Sequence, residues 1–284
     1  MQELVSRIVN LNGDRIEHER IILLAQVLKE NKNDKRLDLC FNGFEVDDII
    51  PLAQALETNQ TLKVLDLLHN RIRDEGTIAL AGALKVNQTL KELNLSGNKI
   101  GNKGVVALAQ ALENYQTLER CNLSINQIGN EGVIALAQAL QTNQTLKKLY
   151  LSWNEFGNEG VTTLAQALHV NQTLKELYLD FNQIGNETEI ALAQALEINQ
   201  TLEFLYISFF NQTRDDNTIT LSLFINKSLK CAMINDFIKP TQFNHLETDD
   251  EDILKKRKQY QKLLRLLNST FLSDDLLSLT ILIK

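Results

Sequence analysis

The tripeptide Gln-Thr-Leu begins at Gln60, Gln88, Gln116, Gln144, Gln172 and Gln200, each 28 residues after the one before. A fixed period of this length marks a stacked-repeat architecture and changes how every other residue is read. The cleaner copies share L-x-x-L-x-L-x-x-N-x-I-x-x-x-G-x-x-x-L-A-x-A-L, as at Leu90, Leu93, Leu95, Asn98, Ile100, Gly104, Leu108, Ala111 and Leu112. Within each copy the hydrophobic period switches. "KELNLS" alternates, so Leu93 and Leu95 point one way and Asn94 the other, as a half-buried strand requires. "GVVALAQALEN" instead sets Leu108, Ala111 and Leu112 at i, i+3, i+4, one stripe of an amphipathic helix. One strand and one helix cannot bury their own apolar faces, so successive copies must stack.

Between strand and helix, "NxIGNEG" reads as the turn and the helix start. Asn130 is expected as the N-cap, with Glu131 at the positive end of the helix dipole, and Asn158-Glu159 and Asn186-Glu187 are its equivalents. Glycines 76, 104, 132 and 160 are expected to let the backbone bend or approach its neighbour closely.

These residues resemble leucine-rich repeats of the ribonuclease-inhibitor-like subtype, the kind also found in NOD-like receptors and Ran GTPase-activating protein. The resemblance covers about residues 6–229. It implies an α/β curved horseshoe, with a parallel sheet on the concave face and helices on the convex face. It also assigns Asn42, Asn70, Asn98, Asn126, Asn154 and Asn182 to an asparagine ladder whose side chains satisfy backbone groups in the turns. Residues 1–33 read as a degenerate N-terminal cap, with Leu11 and Ile16 in register but Asp14 at the ladder position. Residues 34–229 form the repeats, the last one degenerate, and 230–284 a C-terminal strand and helical cap or a tail. In that segment "LKCAMIND" is expected to add a strand. Thr248 and Glu251 fit a capping box for a helix near 249–268, and Ser273 is a second candidate cap.

Charge and cysteine usage narrow the partners. The formal net charge of −7, with no basic stripe, argues against nucleic acid. No stretch approaches the ~20 apolar residues of a membrane span. The opening residues lack the apolar core of a secretory signal, and Cys40, Cys121 and Cys231 are odd in number and far apart. The expectation is a cytoplasmic monomer without disulfides. Six Asn-Gln-Thr triplets, at Asn59, Asn87, Asn143, Asn171, Asn199 and Asn211, are glycan acceptors only in a secreted chain.

Chemistry has few candidates. Cys40, His69, Asp38 and Asp66 occupy outward positions of neighbouring strands about 4.8 Å apart, where a thiol, an imidazole and carboxylates can meet. The face is open and no oxyanion-hole element is visible, so the expectation is no enzyme. His18, His69, His169 and His245 have no metal-ligand spacing, and Cys121 replaces a core leucine, so no metal and no cofactor are expected. The resemblance to Ran GTPase-activating protein offers one alternative, a GTPase-activating-type regulator of a small GTPase, with Arg71 or Arg73 in the arginine's role.

Function is expected where the repeats differ. The residue between the strand leucines runs Asp38, Asp66, Asn94, Asn122, Tyr150, Tyr178, Tyr206, and the residue before the ladder asparagine runs Phe41, His69, Gly97, Ile125, Trp153, Phe181, Phe209. Two aromatic columns therefore lie side by side, with Lys148, Glu176 and Asp180 beside them. Exposed Tyr and Trp with nearby charge are characteristic of protein-binding hot spots. The expected protein-binding site is Lys148, Tyr150, Trp153, Glu176, Tyr178, Asp180, Phe181, Tyr206 and Phe209, for a partner whose identity the sequence does not give. Phe156 is excluded because it holds a core isoleucine position. The uniform Asn- and Gln-rich repeats, "ETDDED" and the apolar end also resemble effectors that amoeba-dwelling intracellular bacteria inject into host cells. That resemblance implies action in the host cytoplasm.

Overall fold

The computed structural model describes residues 11–13, 16–209, 221–226 and 231–236. Asp14, Asn211, His245, the helix expected near 249–268 and the rest of the C-terminal cap lie outside the described residues. Strands and helices alternate: α1 (His18–Glu30), β1 (Arg36–Asp38), α2 (Val46–Thr58), β2 (Val64–Asp66), α3 (Arg73–Leu84), β3 (Glu92–Asn94), α4 (Asn102–Asn114), β4 (Arg120–Asn122), α5 (Asn130–Thr142), β5 (Lys148–Tyr150), α6 (Asn158–Val170), β6 (Glu176–Tyr178), α7 (Glu189–Ile198) and β7 (Phe204–Phe209). β8 (Leu221–Asn226) and β9 (Cys231–Asp236) follow.

β1 to β7 form one parallel ladder in strict register, so that Leu65, Leu93, Cys121, Leu149, Leu177 and Leu205 pair in a row. Each helix packs on the next along the stack. The leucines of strand and helix meet between the two layers in one continuous core, and Phe156 is fully buried in it. Cys121 is fully buried too, and burial pushes its thiol up to about 12, so it acts as a small hydrophobe. This is an α/β repeat solenoid with one sheet face open. The 28-residue register, expected to continue degenerately to residue 229, stops at β7: β8 and β9 return antiparallel.

Three polar ladders hold successive copies in place. In the turn, Asn126 Oδ1 accepts from the backbone N–H of Asn98 and Ile100, both at 3.0 Å, while its Nδ2 donates to the carbonyls of Leu95, Leu123 and Ser124 at 2.9–3.0 Å. Asn42, Asn70, Asn98, Asn154 and Asn182 also donate to carbonyls of their own turn and of the preceding copy. The second ladder is built from the sequon asparagines. Asn59, Asn87, Asn143, Asn171 and Asn199 follow the helices and are at most 3% exposed. Asn143, for example, donates to Leu112 O (2.8 Å) and Tyr115 O (3.1 Å) of the copy before, and its Oδ1 accepts from the N–H of Thr145 and Leu146. In the one copy where tyrosine replaces this asparagine, the Tyr115 hydroxyl donates to Leu90 O at 2.6 Å.

The third ladder corrects an expectation. Asn130 is the first helical residue of α5, preceded by Gly129, and caps nothing in its own helix. Its Oδ1 instead accepts from Gly157 N–H (2.8 Å) and Gly160 N–H (3.2 Å) at the start of α6. Asp74 serves Gly101 and Gly104 in the same way, and Asn102 serves Gly129 and Gly132. Donors at the starts of α4, α5 and α6 are therefore satisfied from the previous copy, whereas α2 starts with a capping box of its own, Glu45 with Asp48. This geometry demands close approach: a Cβ on Gly104 would sit 2.8 Å from Asp74 Oδ1 and 3.0 Å from its Cα.

Candidate functional site

The open face of the sheet carries the side chains that alternate with the buried leucines. On β5 and β6, Lys148 and Tyr150 flank buried Leu149, and Glu176 and Tyr178 flank buried Leu177. The pairing sets Tyr150 beside Tyr178 and Tyr178 beside Tyr206. The first two rings stack, centroids 4.6 Å apart and planes 18° apart, while Tyr206 tilts against Tyr178 at 6.2 Å.

Lys148 Nζ pairs with Glu176 Oε1 at 2.5 Å, and the Tyr150 hydroxyl donates to Glu176 Oε2 at 3.3 Å. Burial first, and then the Glu176 charge, pushes Tyr150 up to about 12 and raises Tyr178 as well. Both phenols stay neutral near physiological pH and keep their donor protons.

The second column is built differently. Phe41, His69, Ile125, Trp153 and Phe181 have φ between 52° and 58°, and Gly97 has 70°. This left-handed conformation is natural for Gly97 and costs other residues about 1–2 kcal/mol each. Ile125, being β-branched, is the least suited of all. The turn geometry fixes the conformation, and the chain has placed large apolar side chains where glycine or asparagine would be the least strained. Each is turned outward: Trp153 is 55% exposed, Phe41 52%, Ile125 47% and Phe181 40%. Trp153 stacks on Phe181 at 4.2 Å and Phe41 on His69 at 4.9 Å.

The structure thus brings Lys148, Tyr150, Trp153, Glu176, Tyr178, Phe181 and Tyr206 to one patch. Phe209 lies in β7, and its side chain is outside the description. Asp180 departs from expectation. It is only 7% exposed, and its carboxylate accepts a hydrogen bond from the Ser152 hydroxyl, so it braces the turn beneath Trp153 rather than facing a partner. Burial raises its pKa, against the lowering effect of the Ser152 hydrogen bond.

The candidate catalytic group also separates. Cys40 Sγ donates to Asp66 Oδ1 at 3.0 Å, and the ligand atoms of Asp38, Cys40 and Asp66 lie within 4.8 Å of one another. His69 is drawn away: its left-handed backbone turns the ring onto Phe41, and the imidazole fills the space over Gly97, where a Cβ would come 2.4 Å from Nδ1. Burial and the two carboxylates push the Cys40 thiol far above its ordinary value, the reverse of nucleophile activation. Arg71 pairs with Glu45 at 3.6 Å, both side chains well exposed. Arg73 opens α3 at φ 57°, and its N–H donates to Asn98 O.

Fold and face define a repeat solenoid with an exposed aromatic sheet surface. Residues 58–81, 86–109, 116–137, 142–165 and 170–193 match the family described as Leucine Rich repeat, and the chain is a leucine-rich-repeat protein. No curated protein matches it. Among solved structures it is similar to "Leiomodin-1 Actin-Binding Site 2 (ABS2)", at 26% identity and a TM-score of 0.44, covering 48% of this chain and 79% of that one. It is also similar to the tropomodulin C-terminal domain of Caenorhabditis elegans, at 23% identity and a TM-score of 0.42, covering 48% of this chain and 84% of that one.

Proposed function

We propose that this chain is a non-enzymatic scaffold that binds another protein on the aromatic ledge of β5 to β7. The observation that carries the reading is Trp153 stacked on Phe181, both exposed and both held at φ near 57° where a bulky residue is strained. Strain of ~1–2 kcal/mol at each of two residues is only partly offset by their stacking, worth about 0.5–1.5 kcal/mol, whereas apolar rings beside the Tyr150–Tyr178 stack give a partner large, pre-ordered contact area. The absence of an activated nucleophile at Cys40 supports a binding role over catalysis. No observation favours the GTPase-activating alternative over it. A cytoplasmic site of action, inside a host cell if the chain is delivered there, belongs to this reading and rests on the resemblance of the repeats to injected effectors.

The test is quantitative affinity capture with the native chain, with Trp153→Ser plus Phe181→Ser, and with Leu23→Ser, which alters an exposed residue on the helical side. The ledge pair is expected to lose its partner by tenfold or more, as truncating two hot-spot aromatics at ~2 kcal/mol each requires. Leu23→Ser is expected to retain it. Equal recovery with all three proteins would overturn the proposal.

A further inference from the structure

Beside the ledge, the open face dips into a hollow of about 280 Å³ lined by Arg36, Asp66, Glu92, Asn94, Arg120 and Tyr150, among others. Its donors and acceptors do not balance. Asp66 is satisfied by Asn94 Nδ2 at 2.8 Å, Cys40 Sγ at 3.0 Å and Arg36 at 3.6 Å. Glu176 is satisfied by Lys148 and Tyr150. Arg120 is not. Its sole partner among the described residues is Glu92, 3.4 Å from one terminal nitrogen, and its Nε is buried without a hydrogen bond. A guanidinium offers five N–H donors in a rigid fork, so most of this fork is unused. Its charge is felt by both Tyr150 and Tyr178, where it opposes the rise in their pKa, so it lies close to the start of the tyrosine column.

The spare capacity on this part of the face is therefore donor capacity attached to a positive charge, and it complements a planar anion. A carboxylate matches the fork in bidentate geometry, which a backbone carbonyl or an amide does not. Arg120 on β4 lies two strand spacings, about 9.6 Å, from Glu176 on β6, and Tyr178 is two residues further along that strand, so the span from Arg120 to Tyr178 is about 12 Å, or about three to four residues of extended chain.

We propose that Arg120 receives the carboxylate of a Glu or Asp side chain from an internal segment of the partner protein, whose next two or three residues are apolar and lie across Tyr150, Tyr178 and the Trp153–Phe181 pair. The proposal rests on the ledge reading and adds the partner's chemistry to it: an acidic residue followed by an apolar or aromatic pair. Lys148 and the half-exposed Arg120 guide the anion in, against an overall charge of −7 that would otherwise discourage it.

The probe is a panel of labelled, N-acetylated and C-amidated octapeptides with a central Glu followed by combinations of Leu, Phe and Trp. Matched panels carry Gln for Glu, Ser for the apolar residues, or a free C-terminal carboxylate in place of the internal Glu. Binding to the full chain is read by fluorescence anisotropy. The Glu panel is expected to bind about tenfold more tightly than the Gln panel, the ~1.4 kcal/mol scale of one charge-assisted contact. Arg120→Gln is expected to reduce that preference to about twofold or less with the thermal midpoint unchanged, and Arg120→Lys to leave an intermediate preference because the charge remains and the fork is lost. Equal binding of Glu and Gln panels, a preference that survives Arg120→Gln, tighter binding of the free C-terminal carboxylate, or no binding by any panel would each overturn the proposal. If Glu and Gln bind equally while Trp153→Ser weakens both, the ledge reading stands and the carboxylate site falls.

Discussion

Replacing Asn126 by alanine isolates what the turn ladder contributes. The side chain is 8% exposed and makes five hydrogen bonds: two accepted from the N–H of Asn98 and Ile100, and three donated to carbonyls. Removing it strands two buried N–H donors, whose desolvation costs about 1–2 kcal/mol each, while Leu123 O keeps its bond from Asn154 Nδ2 and Ser124 O its bond from the Gly97 N–H. The expected loss is about 2–4 kcal/mol. Asn130→Ala provides the contrast, because it also frees two N–H groups, at Gly157 and Gly160, but Asn130 and Gly157 are half-buried and only Gly160 is buried, so a smaller loss of about 1–2 kcal/mol is expected. Urea unfolding followed by far-UV circular dichroism measures both. Because each copy contacts only its neighbours, Asn126→Ala is also expected to lower the slope of the transition as the stack splits into two cooperative blocks. If Asn126→Ala cost no more than Asn130→Ala, burial would not be what sets the ladder's worth, and the reasoning would fail.

Further expectations follow from single contacts. Gly104→Ala should destabilise by more than 1 kcal/mol, because its Cβ meets Asp74 at 2.8 and 3.0 Å, whereas Gly82→Ala, with open space around it in α3, should stabilise by ~0.5–1 kcal/mol in thermal or urea melts. Glu189 is raised to about 7 by burial and then by Glu187, so the folded state holds its proton more tightly than the unfolded chain does. Its ionisation therefore costs stability progressively as pH rises from about 4.5 towards 7, and Glu189→Gln should gain in thermal midpoint over the native chain at pH 8 but not at pH 4.5. Equal gains at both pH values would contradict that assignment. Cys40 should react with iodoacetamide far more slowly than a free thiol at pH 8, because burial and two carboxylates disfavour its thiolate.

Much of this was legible in the sequence because a 28-residue period forces equivalent positions into equivalent places. Leu93, Leu95, Leu108 and Leu112 could be assigned to the core from spacing alone, as could the aromatic columns from their register. What escaped were contacts between copies that the period does not specify. Asn143 and its equivalents read as glycan sequons, although an asparagine recurring with the core leucines was itself the signal of a structural role. Asn130 has the right type for a cap, but the stacking offset aims it at the next helix. Strand alternation places Asp180 on the binding face, yet the chain has left the strand there and the Ser152 hydroxyl holds it inside. His69 and Cys40 follow alternation only until the left-handed residue breaks it, which no count of residues reveals.

Trp153 is the only tryptophan in the chain and sits at the centre of the ledge, so its emission reports on the central claim directly. With a tryptophan-free fragment of the captured partner added to saturation, a 55%-exposed indole that becomes covered should shift its emission to the blue and become resistant to acrylamide quenching. Binding that saturates by an independent measure while the Trp153 spectrum and its quenching stay unchanged would show that the partner docks elsewhere.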